Sequence, residues 1–145
     1  FLGRGALRET LEAEVDAAGL AGCVHFAGFR EDLAGLLPAL DLVVHPALME
    51  GLGVSLLEAA AASVPGVGFA AGGVMEAVAD EHSGLLVESG DAIALGAAIG
   101  RLLGDPELRK RMGENARRRV EAEFSIEVMV NRYAALYDVL AGEIE

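Results

Sequence analysis

Leu42-Val43-Val44-His45-Pro46-Ala47-Leu48-Met49-Glu50-Gly51-Leu52-Gly53-Val54-Ser55-Leu56-Leu57-Glu58-Ala59 decides how this chain is read. Leu42 to His45 is apolar on both faces and stops at Pro46, the pattern of a strand buried inside a parallel sheet. A loop carrying Gly51 and Gly53 follows. From Val54 or Ser55 to Ala62 the residues favour a helix, rich enough in alanine to lie close against a sheet. Where a parallel strand feeds a helix, the free N–H groups and the positive end of the helix dipole face the carboxyl edge of the sheet, and a phosphate can sit there. Gly51 and Gly53 allow a ligand to approach the backbone, while Glu50 and Glu58 can accept hydrogen bonds from sugar hydroxyls. A diphosphate flanked by two sugars fits this layout.

The pattern continues in both directions. Upstream, Leu7, Leu11 and Val15 recur at four-residue spacing in a helix from Ala6 to Ala18 that Gly19 can stop. Val24 to Gly28 reads as a strand, with His25 a buried histidine and Cys23 a buried structural thiol, and Glu31 to Leu40 as a short helix interrupted near Pro38. Downstream, Val64 to Phe69 is a strand weakened by Gly66 and Gly68. A Gly72-Gly73 loop, a short helix from Val74 to Val78 and the strand Gly84 to Val87 come next, then three helices capped by Asp91, Asp105 and Ser125. Alternating strands and helices predict an α/β fold with a parallel sheet. The last helix carries Ile126, Met129, Val130, Tyr133, Tyr137 and Leu140 as an apolar stripe, read as core packing, with a docking face as the other reading.

The 145 residues are 53% apolar, enough for one domain with a core, taken as residues 1–145, and the longest charge-free stretch, Ala59 to Met75, is broken by Pro65 and four glycines, so no membrane span is expected. The net charge of −12 argues against nucleic-acid binding through a basic field. A single cysteine excludes an internal disulfide, and no ligand spacing supports a metal site. Ser55-Leu56-Leu57-Glu58 also has the spacing of a capping box, which would give Glu58 a purely structural task.

Glu50 and Glu58 with their intervening loop resemble the Glu, seven residues, Glu signature of retaining nucleotide-sugar glycosyltransferases of GT-B architecture. Further pieces resemble that family in order and spacing. They are Gly3-Arg4-Gly5-Ala6-Leu7-Arg8, with Ala6 for the usual proline, Val24 to Phe29, Gly72-Gly73-Val74-Met75-Glu76, Ser83 to Val87, Asp105 to Arg109, and Phe124 to Tyr137. Ser63 to Gly68 departs from the family's Gly-x-Pro-Val-Val, which puts the ordering of that strand in question.

The resemblance implies a Rossmann-like, doubly wound sheet that binds a UDP- or GDP-linked sugar as substrate, with no separate cofactor. It gives Glu50 the catalytic position, holding hydroxyls of the donor sugar, and Glu58 the nucleotide ribose. It further directs the amides of Gly51, Leu52 and Gly53 to the sugar, those near Leu56 and Leu57 to the diphosphate, and Phe29 with Arg30 to the base. In the family a Gly-Arg turn and a lysine precede the first residues matched here, as does an N-terminal acceptor domain. The chain therefore reads as the donor-binding portion of a hexosyltransferase, expected to be inactive alone and cytoplasmic, with peripheral membrane attachment open for the full-length protein. A sheet without its first strand would expose the edge of Leu42 to His45, so a homo-oligomer or swapped dimer is expected. A non-catalytic α/β binding or assembly module, or a nucleotide-sugar epimerase of the same architecture, is the alternative.

Overall fold

The computed structural model describes residues 1–142, which form two compact units, Phe1–Leu33 and a larger one from Ala34 onward. In the first unit, helix α1 (Arg8–Ala17) ends at Gly19, whose φ of +70° is the left-handed stop read from the sequence, and the Leu20 N–H returns to the Val15 carbonyl at 2.9 Å. Val24 to Gly28 does not form the expected regular strand. It runs parallel to the first residues through one bridge, Leu2 to Gly28, with Gly3 N–H on the Gly28 carbonyl at 2.7 Å and Ala27 N–H on the Phe1 carbonyl at 2.8 Å. A strand exists only as far as it has a partner, and within this unit the partner is three residues long. Cys23 and His25 are exposed rather than buried, because the turn that follows α1 leaves them uncovered.

Short helix α2 (Leu33–Leu36) runs into a 3-10 turn at Leu37–Ala39, where Pro38 sits in the first turn. Strands β1 (Val43–His45), β2 (Gly66–Phe69) and β3 (Gly84–Val87) form an all-parallel sheet in that order, with Val44 opposite Val67 and Val67 opposite Leu85. Helix α3 (Val54–Ala61) links β1 to β2, and α4 (Val74–Ala77) lies between β2 and β3. Helices α5 (Ala92–Gly104), α6 (Pro106–Glu123) and α7 (Ile126–Gly142) close the described chain. The Asp91 and Asp105 carboxylates accept the Ala94 and Leu108 amides at 2.8 and 2.9 Å, as their capping positions require.

The two-residue period of β2 sorts the core. Val67 and Phe69 pack with Leu85, Leu95, Leu102, Leu108 and Met112 on the side of α5 and α6, whereas Gly66 and Gly68 face Leu56 and Val74 of α3 and α4. The glycines that weaken the strand's propensity therefore make it the buried centre of the sheet. A Cβ on Gly66 would lie 2.6 Å from Leu56 Cδ2, so only a glycine lets α3 come this close. Helices thus cover the sheet on both sides, as in a doubly wound arrangement.

One expectation fails here, and one alternative reading falls away. The apolar stripe of α7 is not core, since no residue of α7 is buried and Ile126, Tyr133 and Tyr137 are well exposed. The physical reason is that α3 to α6 already cover β2 and β3. Ser55 and Glu58 do not form a capping box either, because the helix is entered through Gly53 at φ +74°, which places Ser55 inside the first turn. Among the described residues no helix is long and apolar enough to cross a membrane.

Candidate functional site

Three consecutive strands of a parallel sheet deliver their following loops to the same edge, and here those loops enclose one hollow. Leu48 to Gly51 after β1, Ala70 to Gly72 after β2, and Ser89 after β3 line a cavity of about 690 Å³. This is the carboxyl edge, where ligands of open α/β sheets bind. Glu50 is the carboxylate in its wall.

The Glu50 loop is held against the Gly72-Gly73 loop by close backbone contact. Gly73 N–H donates to the Glu50 carbonyl at 3.1 Å, and a Cβ on Gly72 would fall 2.2 Å from that same oxygen. The paired glycines are therefore more than a turn. Gly72 lines the cavity, while Gly73 is buried beneath the motif loop.

Both oxygens of the Glu50 carboxylate are engaged. Oε1 accepts the Gly51 N–H at 2.8 Å, and Oε2 lies 3.0 Å from His45 Nε2. On its other side the His45 ring meets Ser55, with Oγ 3.1 Å from Nδ1. The Gly51 amide holds the Glu50 carboxyl below the usual carboxylate range, with His45 and the Gly53 and Leu52 amides adding to the effect and partial burial opposing it. Glu50 is thus a carboxylate at neutral pH.

The other candidate residues lie on the same loop, on α3 and in the first unit. The Gly51 amide is bonded to Glu50 itself, in the same loop as Leu52 and Gly53. The Leu56 and Leu57 amides already bond the Gly53 carbonyl at 2.9 and 3.3 Å, and the Leu56 side chain is core. At the start of α3 it is the Val54 and Ser55 amides that have no hydrogen-bond partner among the described residues, so the anion-facing end of the helix lies two residues earlier. Glu58 is exposed on α3 and is not part of the cavity wall. Phe29 and Arg30 belong to the first unit. There Phe29 is exposed beneath the Arg4 guanidinium, 5.4 Å from its ring centre, and Arg30 forms a two-point pair with Asp32 at 2.7 and 2.5 Å.

Sequence reasoning missed the joint role of His45 and Ser55. The available signal was a histidine at the last position of a strand with a hydroxyl residue in the first turn of the next helix, and that spacing becomes a contact only when strand and helix pack together.

Residues 1–119 match the family described as "Glycosyl transferases group 1". The chain is 36% identical to the lipopolysaccharide core biosynthesis mannosyltransferase LpcC of Rhizobium leguminosarum bv. viciae, across 95% of this chain and 39% of that protein. Among solved structures, sucrose-phosphate synthase from Thermosynechococcus elongatus superposes with a TM-score of 0.87 at 36% identity, over 96% of this chain and 35% of that one. HepE from Anabaena, solved in complex with UDP, gives a TM-score of 0.89 at 26% identity, over 95% of this chain and 40% of HepE. The chain therefore spans about two-fifths or less of the length of each of these proteins.

Proposed function

This chain belongs to the group 1 glycosyl transferases, with the GT-B fold, and we propose that it binds the nucleotide-sugar donor of a retaining sugar transfer. The observation that carries the reading is the ionised Glu50 in the wall of a cavity built from the loops after all three strands, beside the start of α3. A carboxylate there accepts hydrogen bonds from sugar hydroxyls, and the Val54 and Ser55 amides with the helix dipole favour a diphosphate. Glu58, exposed on α3, is our candidate for the ribose. UDP is the nucleotide proposed first, since HepE was solved with it; GDP is the competitor in the test.

In the transfer the glycosidic C–O bond to the diphosphate breaks while the acceptor hydroxyl attacks from the same face. A donor phosphate oxygen takes its proton, so no protein nucleophile is needed. This chain's part is to hold the sugar and to stabilise the departing negative charge with oriented amides. Donor binding, rather than transfer by the chain alone, is the proposed activity.

Calorimetric titration of UDP, GDP and UDP-glucose tests this. UDP is expected to bind below the millimolar range and to weaken with Glu58→Ala, while Glu50→Gln weakens UDP-glucose and spares UDP. If neither nucleotide binds below millimolar, the chain is a non-catalytic module of the same fold.

We further propose that the isolated chain self-associates. β1 pairs only with β2 among the described residues, and α7 presents an uncovered apolar stripe. Light scattering should give a mass above the monomer, and a monomer at high concentration overturns this.

A further inference from the structure

We infer that His45 is a positioning residue for Glu50, braced by Ser55, and that this arrangement, rather than the glutamate alone, determines how strongly the site holds the sugar part of a donor. The inference rests on the donor-binding reading above. His45 ends β1, Ser55 lies in the first turn of α3, and Glu50 is in the loop between them, so the three meet only because the strand, loop and helix close on one another.

Hydrogen-bond chemistry then fixes the direction of the chain. An ionised Glu50 can only accept, so the proton between it and the ring belongs to His45 Nε2. In the neutral ring Nδ1 is left as an acceptor, and the Ser55 hydroxyl must donate to it. Glu50 thereby selects the Nε2–H tautomer, and the Ser55 hydroxyl, which can serve either tautomer, braces the ring by donating to Nδ1. The side chains of His45 and Glu50 are 19% and 30% exposed, which limits competition from water.

With Oε2 bonded to His45 and Oε1 to the Gly51 amide, rotation of the carboxylate is blocked. Each oxygen keeps a second lone pair, and those are the ones a sugar diol can use. Without the imidazole, the Oε2 anchor is lost and the carboxylate must be ordered again each time a sugar binds. Binding of the nucleotide part does not depend on that order.

Two measurements on the 145-residue chain decide the matter. The first needs no ligand. Nitrogen-15 spectra of the His45 ring, assigned in a His25→Gln/His82→Gln background, should show the Nε2–H tautomer predominating, and Glu50→Gln, whose amide can donate or accept, should let the two tautomers mix. A ring that averages both tautomers in the parent chain overturns the inference.

The second compares UDP-glucose with UDP. His45→Ala should lower the affinity gained from the glucose about tenfold, with UDP itself unchanged, and His45→Gln, which restores an N–H donor toward Glu50, should recover most of the loss. Equal loss for both ligands, or a parent chain that gains nothing from the glucose, overturns it. If UDP fails to bind at all, the donor reading falls, and the tautomer spectra still judge His45.

Discussion

Gly73 lies so close to Gly51 that a Cβ placed on it would sit 2.0 Å from the Gly51 carbonyl oxygen and 2.7 Å from Leu52 Cα. The loop after β2 therefore serves as the bed for the loop after β1, and the cavity exists because two backbones touch where no side chain fits.

Gly73→Ala should consequently act on stability and site together. Overpacking against backbone costs about 1–3 kcal/mol, and for a chain of this size that lowers the melting temperature by roughly 2–4 °C per kcal/mol. UDP-glucose binding should fall with it. Gly96→Ala is the control, because Gly96 is exposed in α5 with nothing near its Cβ position. There the better helix former should raise stability by up to about 1 kcal/mol. Thermal melts of the two variants check the contrast.

Leu102 has no exposed surface and lies where α5 meets β2, β3 and α6. Leu102→Ala should cost about 2–5 kcal/mol by lost burial and a cavity. Ile93→Ala, 88% exposed at the start of the same helix, should change stability by less than about 0.5 kcal/mol. Denaturant titration with unchanged slope is the measurement.

Arg109 donates to the carbonyls of Leu102 and Leu103 at 2.8 and 3.0 Å, closing the end of α5, and to Asp41 at 3.1 Å. Its side chain is mostly buried while Asp41 is open to solvent. Arg109→Met should destabilise by about 1–3 kcal/mol through loss of the guanidinium bonds to the two carbonyls, whereas Asp41→Asn should cost under about 1 kcal/mol. Similar losses for both would show that the ion pair, not the helix end, is what matters.

Acid should weaken the fold through particular carboxylates. The carboxyls of Glu50, Asp32 and Glu81 are held below the ordinary range, chiefly by the Gly51 amide, Arg30 and Arg101 respectively. A folded-state value below the unfolded one means that the stabilisation is complete above the unfolded value, about 4, and is lost as pH falls through the lower folded value. Glu50→Gln should therefore differ from the parent chain in unfolding free energy at pH 6 and converge with it toward pH 2. A constant difference between those limits would contradict the pairing.

Strand and helix positions were legible where they depend on local pattern. The segment from Leu42 to Ala62, the Asp91 and Asp105 caps and the Gly19 stop all appear within a residue or two of their expected places. Errors arose where the outcome depends on a distant partner. Val24 to Gly28 has strand composition but too short a neighbour, and the α7 stripe has core periodicity but no sheet left to cover. Gly66 and Gly68 read as weakness, yet they face Leu56 and Val74, and their missing side chains are what the packing uses.

The sequence alone determined the alternation of elements and the family, and singled out Glu50 as a candidate, because residue type, period and spacing are carried by the chain itself. Tertiary structure alone decided that Glu50 binds the Gly51 amide, that His45 connects it to Ser55, and that Gly73 supports Gly51. Those contacts join residues on different elements. Their distances follow from how closely α3 and the β2 loop approach the sheet, a property of packing that no local pattern records.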